Sequence, residues 1–260
     1  MSVERRSVLR NLSRAAAAAT AGLVLNACGD GGSAPRPSPV SPTLPASSRP
    51  VPTPSETPAA SLPEQILSGP RARPMVALTF HGQGDPGLAD AVLSLVERAG
   101  AHLTVLAVGT WLDTHPAMAR RILDKGHDLG NHTQHHLDIS AMGAKAAYDE
   151  ITMCAQRLHQ LTGSIGSWFR PSRAAQATPL VLQQARKAGY QHCLSYDVDS
   201  LDYTDPGAAA VQHTVLTAVR AGSIVSLHLG HPGTLGALPG ILTGLHARGL
   251  RAVTATEMLS

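Results

Sequence analysis

Cysteine is scarce in this chain: only Cys28, Cys154 and Cys193 occur in 260 residues, and no two of them form a Cys-x-x-Cys pair. So few exclude a disulfide framework, and the missing pair argues against a metal held by sulfur. A single bridge between Cys154 and Cys193 and two separately buried thiols both remain open. Charged residues are also few, at 15% of the chain. The formal net charge of +3 comes from residues 1–27, which hold four Arg and one Glu, leaving 17 of the 21 basic and 17 of the 18 acidic residues downstream. A neutral body without a basic patch has no electrostatic footprint for nucleic acid, so no nucleic-acid partner is expected. There is no Gly-x-Ser-x-Gly turn and no catalytic-cysteine context, which argues against covalent acyl transfer. The apolar run Ala15–Ala27 has 13 residues, too short for the ~20 a membrane-spanning helix needs.

What stands at the N-terminus fits an export signal. Glu4-Arg5-Arg6-Ser7-Val8-Leu9-Arg10 precedes that apolar run, and Leu25-Asn26-Ala27-Cys28 closes it. Paired arginines, a short apolar stretch and small residues before a cysteine predict a twin-arginine lipoprotein signal over 1–27, with Cys28 as the lipidated residue. The expected location is the cell surface, held to the membrane by the lipid anchor alone. Gly31 to Pro63 holds ten of the nineteen prolines, interleaved with Ser, Thr and Ala. Residues 28–63 are therefore expected to be an extended, disordered tether, on the order of 100 Å long at ~3.1 Å per residue. Residues 64–260 remain as a single folded domain.

Within that domain short apolar runs alternate with amphipathic ones. Met75–Phe80, Leu103–Val108, Gln191–Ser195, Ser223–Leu227 and Arg251–Ala255 read as buried parallel strands. Pro86–Ala99, Pro116–Lys125, Ala144–Leu161, Pro179–Ala188, Ala208–Ala221 and Pro239–Ala247 have helical spacing. Several of these open with proline and close with glycine. About six βα units point to an α/β barrel more than to an open sheet.

Parallel strands share one face at their C-terminal ends, and the notable polar residues fall there. His81 to Asp85 follows the first strand, His132 and His136 a stretch ending at Leu129, and Arg170 the pair Trp168-Phe169. Asp197, Asp199 and Asp202 follow the fourth strand, and His228 ends the fifth. The four-residue spacing of His132 and His136 would point both imidazoles one way on a helical turn, which is most of a zinc site. Two His ligands, nearby carboxylates, an Arg to fix a carboxylate and a free His make metal-assisted hydrolysis the better reaction class.

These motifs together resemble the polysaccharide deacetylases of carbohydrate esterase family 4, the NodB-homology domain. Leu103–Gly109 is similar to the family's second-strand signature, Gly126–His136 to its metal motif and Phe169-Arg170-Pro171 to its arginine motif. Asp197–Tyr203 resembles its aspartate motif and Ile224–His228 its final histidine motif. The resemblance implies a distorted (β/α) barrel of the NodB type that uses a divalent metal, usually zinc, to remove N-acetyl groups, or by the same chemistry O-acetyl groups, from a cell-wall or extracellular polysaccharide. It implies that His132 and His136 hold the metal and that His228 protonates the leaving amine, with Asp199 or Asp202 orienting its ring. Arg170 would steer the base, and the backbone N–H near Arg173 would help bind the oxyanion.

The departure is in the first motif. The family has two adjacent aspartates, a base and a metal ligand; here His81 takes the base position and Gly82 the ligand position. A histidine can act as base near neutral pH, and flanking glycines would let Asp85 supply the missing oxygen. His81 as third ligand with Asp85 as base is the alternative, and either arrangement makes Asp85 essential for turnover. A lipoprotein that keeps the barrel and binds glycan without turnover is the rival function.

Overall fold

In a computed structural model the chain is described over residues 62–260; the signal, Cys28 and nearly all of the tether lie outside the described residues. Eight strands and eight α-helices follow one another as β1 (Gln65–Ile66), β2 (Met75–Gly82), α1 (Pro86–Arg98), β3 (Thr104–Ala107), α2 (Gly109–Thr114), α3 (Ala117–Leu123), β4 (Asp128–Asn131), α4 (Ala144–Thr162), α5 (Pro179–Lys187), β5 (Cys193–Leu194), β6 (Val198–Asp199), α6 (Ala208–Ala218), β7 (Ile224–His228), α7 (Pro232–Ala247), β8 (Arg251–Val253) and α8 (Ala255–Leu259). All strand ladders are parallel, in the order β4-β3-β2-β7-β6. β8 pairs with β2 at Met75–Ala77, below the β3 pairing at Thr79–Gly82. Phe169 bridges Asn131 on one side and Cys193 on the other, which carries the ring from β4 to the β1–β5 pair. The result is the (β/α) barrel that the alternation predicts, with the distortion that the resemblance implies.

The period-two alternation of β2 divides its side chains between two environments. Val76, Leu78 and Phe80 pack outward in one cluster with Ala89, Val92, Leu93 and Val96 of α1 and Leu238, Ile241 and Leu245 of α7. Ala77 faces inward with Leu106, Leu194, Ile224 and Val253, which fill the lower barrel. Thr79 and His81 continue that inward face upward, so the interior turns polar toward the C-terminal rim.

Helix α7 begins at Pro232, seven residues before the expected Pro239, which lies inside it. Its glycines let α6 come close: a Cβ at Gly244 would stand 2.6 Å from Leu216 Cδ1. Cys154 and Cys193 are free and buried, so the bridge left open by sequence is not formed. Burial pushes each thiol up to about 12, which leaves both unreactive.

Candidate active site

Five histidines, His81, His132, His136, His228 and His231, line one cavity of about 520 Å3 at the C-terminal rim, with Asp199, Tyr196, Tyr203 and Arg173. Parallel pairing sets β2 and β7 in register so that His81 lies opposite His228. His81 Nδ1 is 2.7 Å from His228 Nε2, and His228 Nδ1 is 2.7 Å from Asp202 Oδ1. Asp202 also accepts from the His228 backbone N–H and from Thr234 Oγ1 at the start of α7. Asp202, and not Asp199, is therefore the carboxylate that holds His228. Asp199 lines the cavity and accepts the Leu201 N–H. Asp197 is drawn outward to Arg71 and the Ile224 N–H, where it joins chain segments.

Arg170 is fully buried and contacts no carboxylate, contrary to the expectation that it fixes one. Its guanidinium donates to Leu194 O, Ser195 O, Thr79 Oγ1 and, at 3.2 Å, His81 Nε2. Burial lowers its pKa to about 10, which still leaves it charged at neutral pH. An arginine has only donors, so His81 Nε2 accepts, the His81 proton sits on Nδ1, and His228 Nε2 accepts it. Burial holds His81 well below the ordinary histidine pKa, helped by His132, His228 and Arg170. Both nitrogens of His81 are thus engaged in its neutral form.

His132 and His136 converge, but on a loop and not on a helical turn. Thr133 at φ 68° and His136 at φ 55° turn the chain back, bringing the two ring centroids to 5.0 Å. The loop is pinned from three sides. Asn131 Oδ1 accepts the Thr133 N–H, Glu150 of α4 accepts from the His135 N–H and faces its Nδ1, and Gly109 and Thr110 at the start of α2 donate to Thr133 O and Gln134 O. Non-glycine residues in the left-handed region cost energy that these bonds offset.

The two histidines fit a divalent metal as donors. His132 Nδ1 faces Arg170 O at 3.0 Å and so carries the proton. Its Nε2 is buried without a hydrogen-bond partner, which makes it a lone pair suited to a cation. Burial keeps both His132 and His136 below the ordinary pKa, in the neutral form a metal requires. A third protein donor is not brought to them, and among the described residues no three His, Cys, Asp or Glu side chains stand together to hold an ion. At Gly82 a Cβ would meet Val105 Cγ1 at 2.7 Å and Ala107 Cα at 3.0 Å. The ring of His81 stacks on His132 with centroids 4.2 Å apart and planes 2° from parallel.

Asp85, expected as ligand or base, is placed elsewhere. It is the exposed N-cap of α1, with Oδ1 accepting the Leu88 N–H at 2.8 Å, and it does not line the cavity. A residue directly before proline at the first helical position is set up for capping, and that local demand prevails over the reach to the cavity. Gly82, Gly84 and Gly87 have the spacing of a dinucleotide-binding turn, but the Asp85 carboxylate occupies the helix N-terminus where phosphate would bind. Gly84 serves a close approach, since a Cβ there would stand 2.6 Å from Gly230 Cα. Trp111 fixes the turn by donating to Gly84 O, and Trp168 donates to Thr256 Oγ1, so both tryptophans pack structurally. His231 and its partner Asp205, 2.8 Å apart, were not expected among the site residues.

Residues 68–193 match the family described as polysaccharide deacetylase. The chain is 30% identical to a peptidoglycan-N-acetylglucosamine deacetylase of Bacillus cereus over 194 residues, 73% of this chain and 90% of the relative. It is also 30% identical to a chitooligosaccharide deacetylase of a Bradyrhizobium species over 175 residues, 64% of this chain and 74% of the relative. A solved peptidoglycan N-acetylglucosamine deacetylase in complex with 4-naphthalen-1-yl-N-oxidanyl-benzamide superposes with TM-score 0.71 at 25% identity, covering 75% of this chain and 92% of that one. A Bacillus anthracis pseudoenzyme of carbohydrate esterase family 4 shares the fold, with TM-score 0.72 at 22% identity over 77% of this chain and 70% of that one.

Proposed function

The chain belongs to the polysaccharide deacetylases of carbohydrate esterase family 4, and on that footing we propose that it hydrolyses N-acetyl groups of an extracellular amino-sugar polymer such as peptidoglycan or a chito-oligosaccharide. The observation that carries this reading is His228, held by the buried Asp202, in the same cavity wall as two neutral, metal-competent imidazoles. A binding protein has no use for an imidazole oriented by a buried carboxylate beside such a pair. His132 and His136 would hold the metal, which when bound polarises an acetyl carbonyl and acidifies water.

The remaining residues position the sugar and move protons. Asp202 fixes the His228 ring with Nε2 toward the cavity, so His228 is the proton donor to the leaving amine once substrate entry parts it from His81. Arg170 holds His81 in place against Thr79 and the β5 carbonyls. Arg173, at φ 56° on the cavity wall, would offer its backbone N–H to the acetyl oxygen. Export through the signal at residues 1–27 and lipidation at Cys28 would place the domain against the wall, at the end of its proline-rich tether. Among the described residues no helix is long and apolar enough to cross a membrane.

Acetate release from acetylated chito-oligosaccharide, measured on the purified chain with added zinc and with His132→Ala as control, tests the reading. Metal-dependent release that His132→Ala removes is expected. A second reading, glycan binding without turnover, is favoured by the absence of space for a ligand side chain at Gly82. Oligosaccharide binding with no acetate released would establish it instead.

A further inference from the structure

Two histidines of the cavity wall are held by aspartates in the same way. Asp202 holds His228 and Asp205 holds His231, each pair 26 residues apart, with Nδ1 to carboxylate distances of 2.7 and 2.8 Å. Both aspartates come from the 3-10 turn Asp202–Thr204 and its cap, while His228 ends β7 and His231 caps α7. Asp205 adopts φ 52° and ψ 47°, a left-handed conformation that costs energy and turns its carboxylate toward His231. His231 caps α7 without a side-chain bond to the helix, so its ring is free for another role.

A base needs a ring nitrogen with an available lone pair in reach of the substrate. His81 has none, because Arg170 and His228 take both nitrogens. His228 Nε2 accepts from His81. His132 and His136 would hold the metal. His231 remains: it lines the cavity, its centroid is 5.7 Å from that of His228, and its Nδ1 is tied to Asp205 while Nε2 bonds to no other described residue.

Resting on the deacetylase reading, we propose that His231, oriented by Asp205, is the general base that replaces the one missing from position 81. Nε2 of His231 takes a proton from the attacking water as the new O–C bond forms on the acetyl carbon. That proton passes through cavity water to Nε2 of His228, freed from His81 by the substrate, and His228 gives it to the departing nitrogen as the C–N bond breaks. Acetic acid then transfers its own proton to the free amine. Atoms and charge balance without a further reactant.

The test is acetate release by the purified full chain with zinc supplied, comparing wild type, His231→Gln, His231→Asn and Asp205→Asn, with 15N NMR of the imidazoles. The expected result is a loss in kcat of roughly 100-fold or more for both His231 variants, with KM little changed. For Asp205→Asn, whose carboxylate is 66% exposed, the expected loss is about tenfold. Wild-type His231 should show the Nδ1–H tautomer. Wild-type activity retained in a folded His231 variant, or an Nε2–H tautomer, overturns the base assignment and leaves the deacetylase reading standing. A wild type that releases no acetate overturns both.

Discussion

His81 Nδ1 lies 2.7 Å from His228 Nε2, so the last inward side chain of β2 touches the residue proposed as the proton donor. The contact is one link of a chain running from the Arg170 guanidinium through His81 and His228 to the Asp202 carboxylate. A cation at one end and an anion at the other fix the direction of each hydrogen bond between them. Two neutral imidazoles are thereby ordered without metal or substrate, and this is the state that a substrate has to open.

Asp202 anchors the chain, and its anchoring should appear in the acid limb of stability. Burial pushes this carboxyl up, but the bonds from His228 and Thr234 outweigh it, leaving the pKa below the ordinary value. A carboxylate depressed in the folded state stabilises above the unfolded pKa of about 3.9 and loses that contribution as pH falls through the folded value. Thermal unfolding of wild type should therefore fall away below about pH 4 more steeply than that of Asp202→Asn. Parallel curves from pH 6 to 2 would show that the His228 bonds do not stabilise the carboxylate.

Removing His81 strands two partners, the buried Arg170 and the half-buried His228. In His81→Ala, Arg170 Nη1 loses an acceptor, His228 Nε2 loses a donor and the stacked face of His132 is bared. An unsatisfied buried polar group costs about 1–3 kcal/mol, so urea unfolding should show a loss of at least that order. No change in the midpoint would mean that water replaces the ring without cost.

The barrel was legible because its strands are short, apolar and spaced by helices with proline starts and glycine ends. β2, α1, α4 and α5 fall within two residues of where the pattern places them. The convergence of His132 and His136 was also legible, though its cause was not: two left-handed residues in a pinned loop leave no periodic trace. Asp85 shows the reverse failure. Its place before Pro86 carries a helix-cap signal, and that local signal, not the gap in the first motif, decides where its carboxylate goes. The Asp205–His231 pair did leave a trace, since Asp202 and Asp205 repeat the three-residue spacing of His228 and His231. Only the fold shows that the two spacings face each other.

Asp85→Ala accordingly tests stability and not catalysis. Loss of an N-cap costs about 1 kcal/mol, and the exposed carboxylate does not line the cavity. The variant should unfold at a lower denaturant midpoint while its acetate release stays near wild type. Loss of turnover at unchanged stability would return Asp85 to the reaction.

Restoring the family's second aspartate should fail for want of space. The Cβ of Gly82→Asp would press on Val105 Cγ1 and on the Ala107 backbone, an overpacking that typically costs about 1–3 kcal/mol. Val105 can rotate, but the Ala107 Cα belongs to a strand paired with β2 at Gly82 itself. The variant is therefore expected to be less stable than wild type and to bind zinc no more tightly by calorimetry, whereas His132→Ala should abolish binding. Calorimetry separates the two effects: tighter zinc binding in Gly82→Asp would mean that the strand yields and that the three-donor site was lost only through the missing side chain. Unchanged affinity with reduced stability would mean that this chain has closed the position by packing, and that any metal it uses rests on His132 and His136 alone.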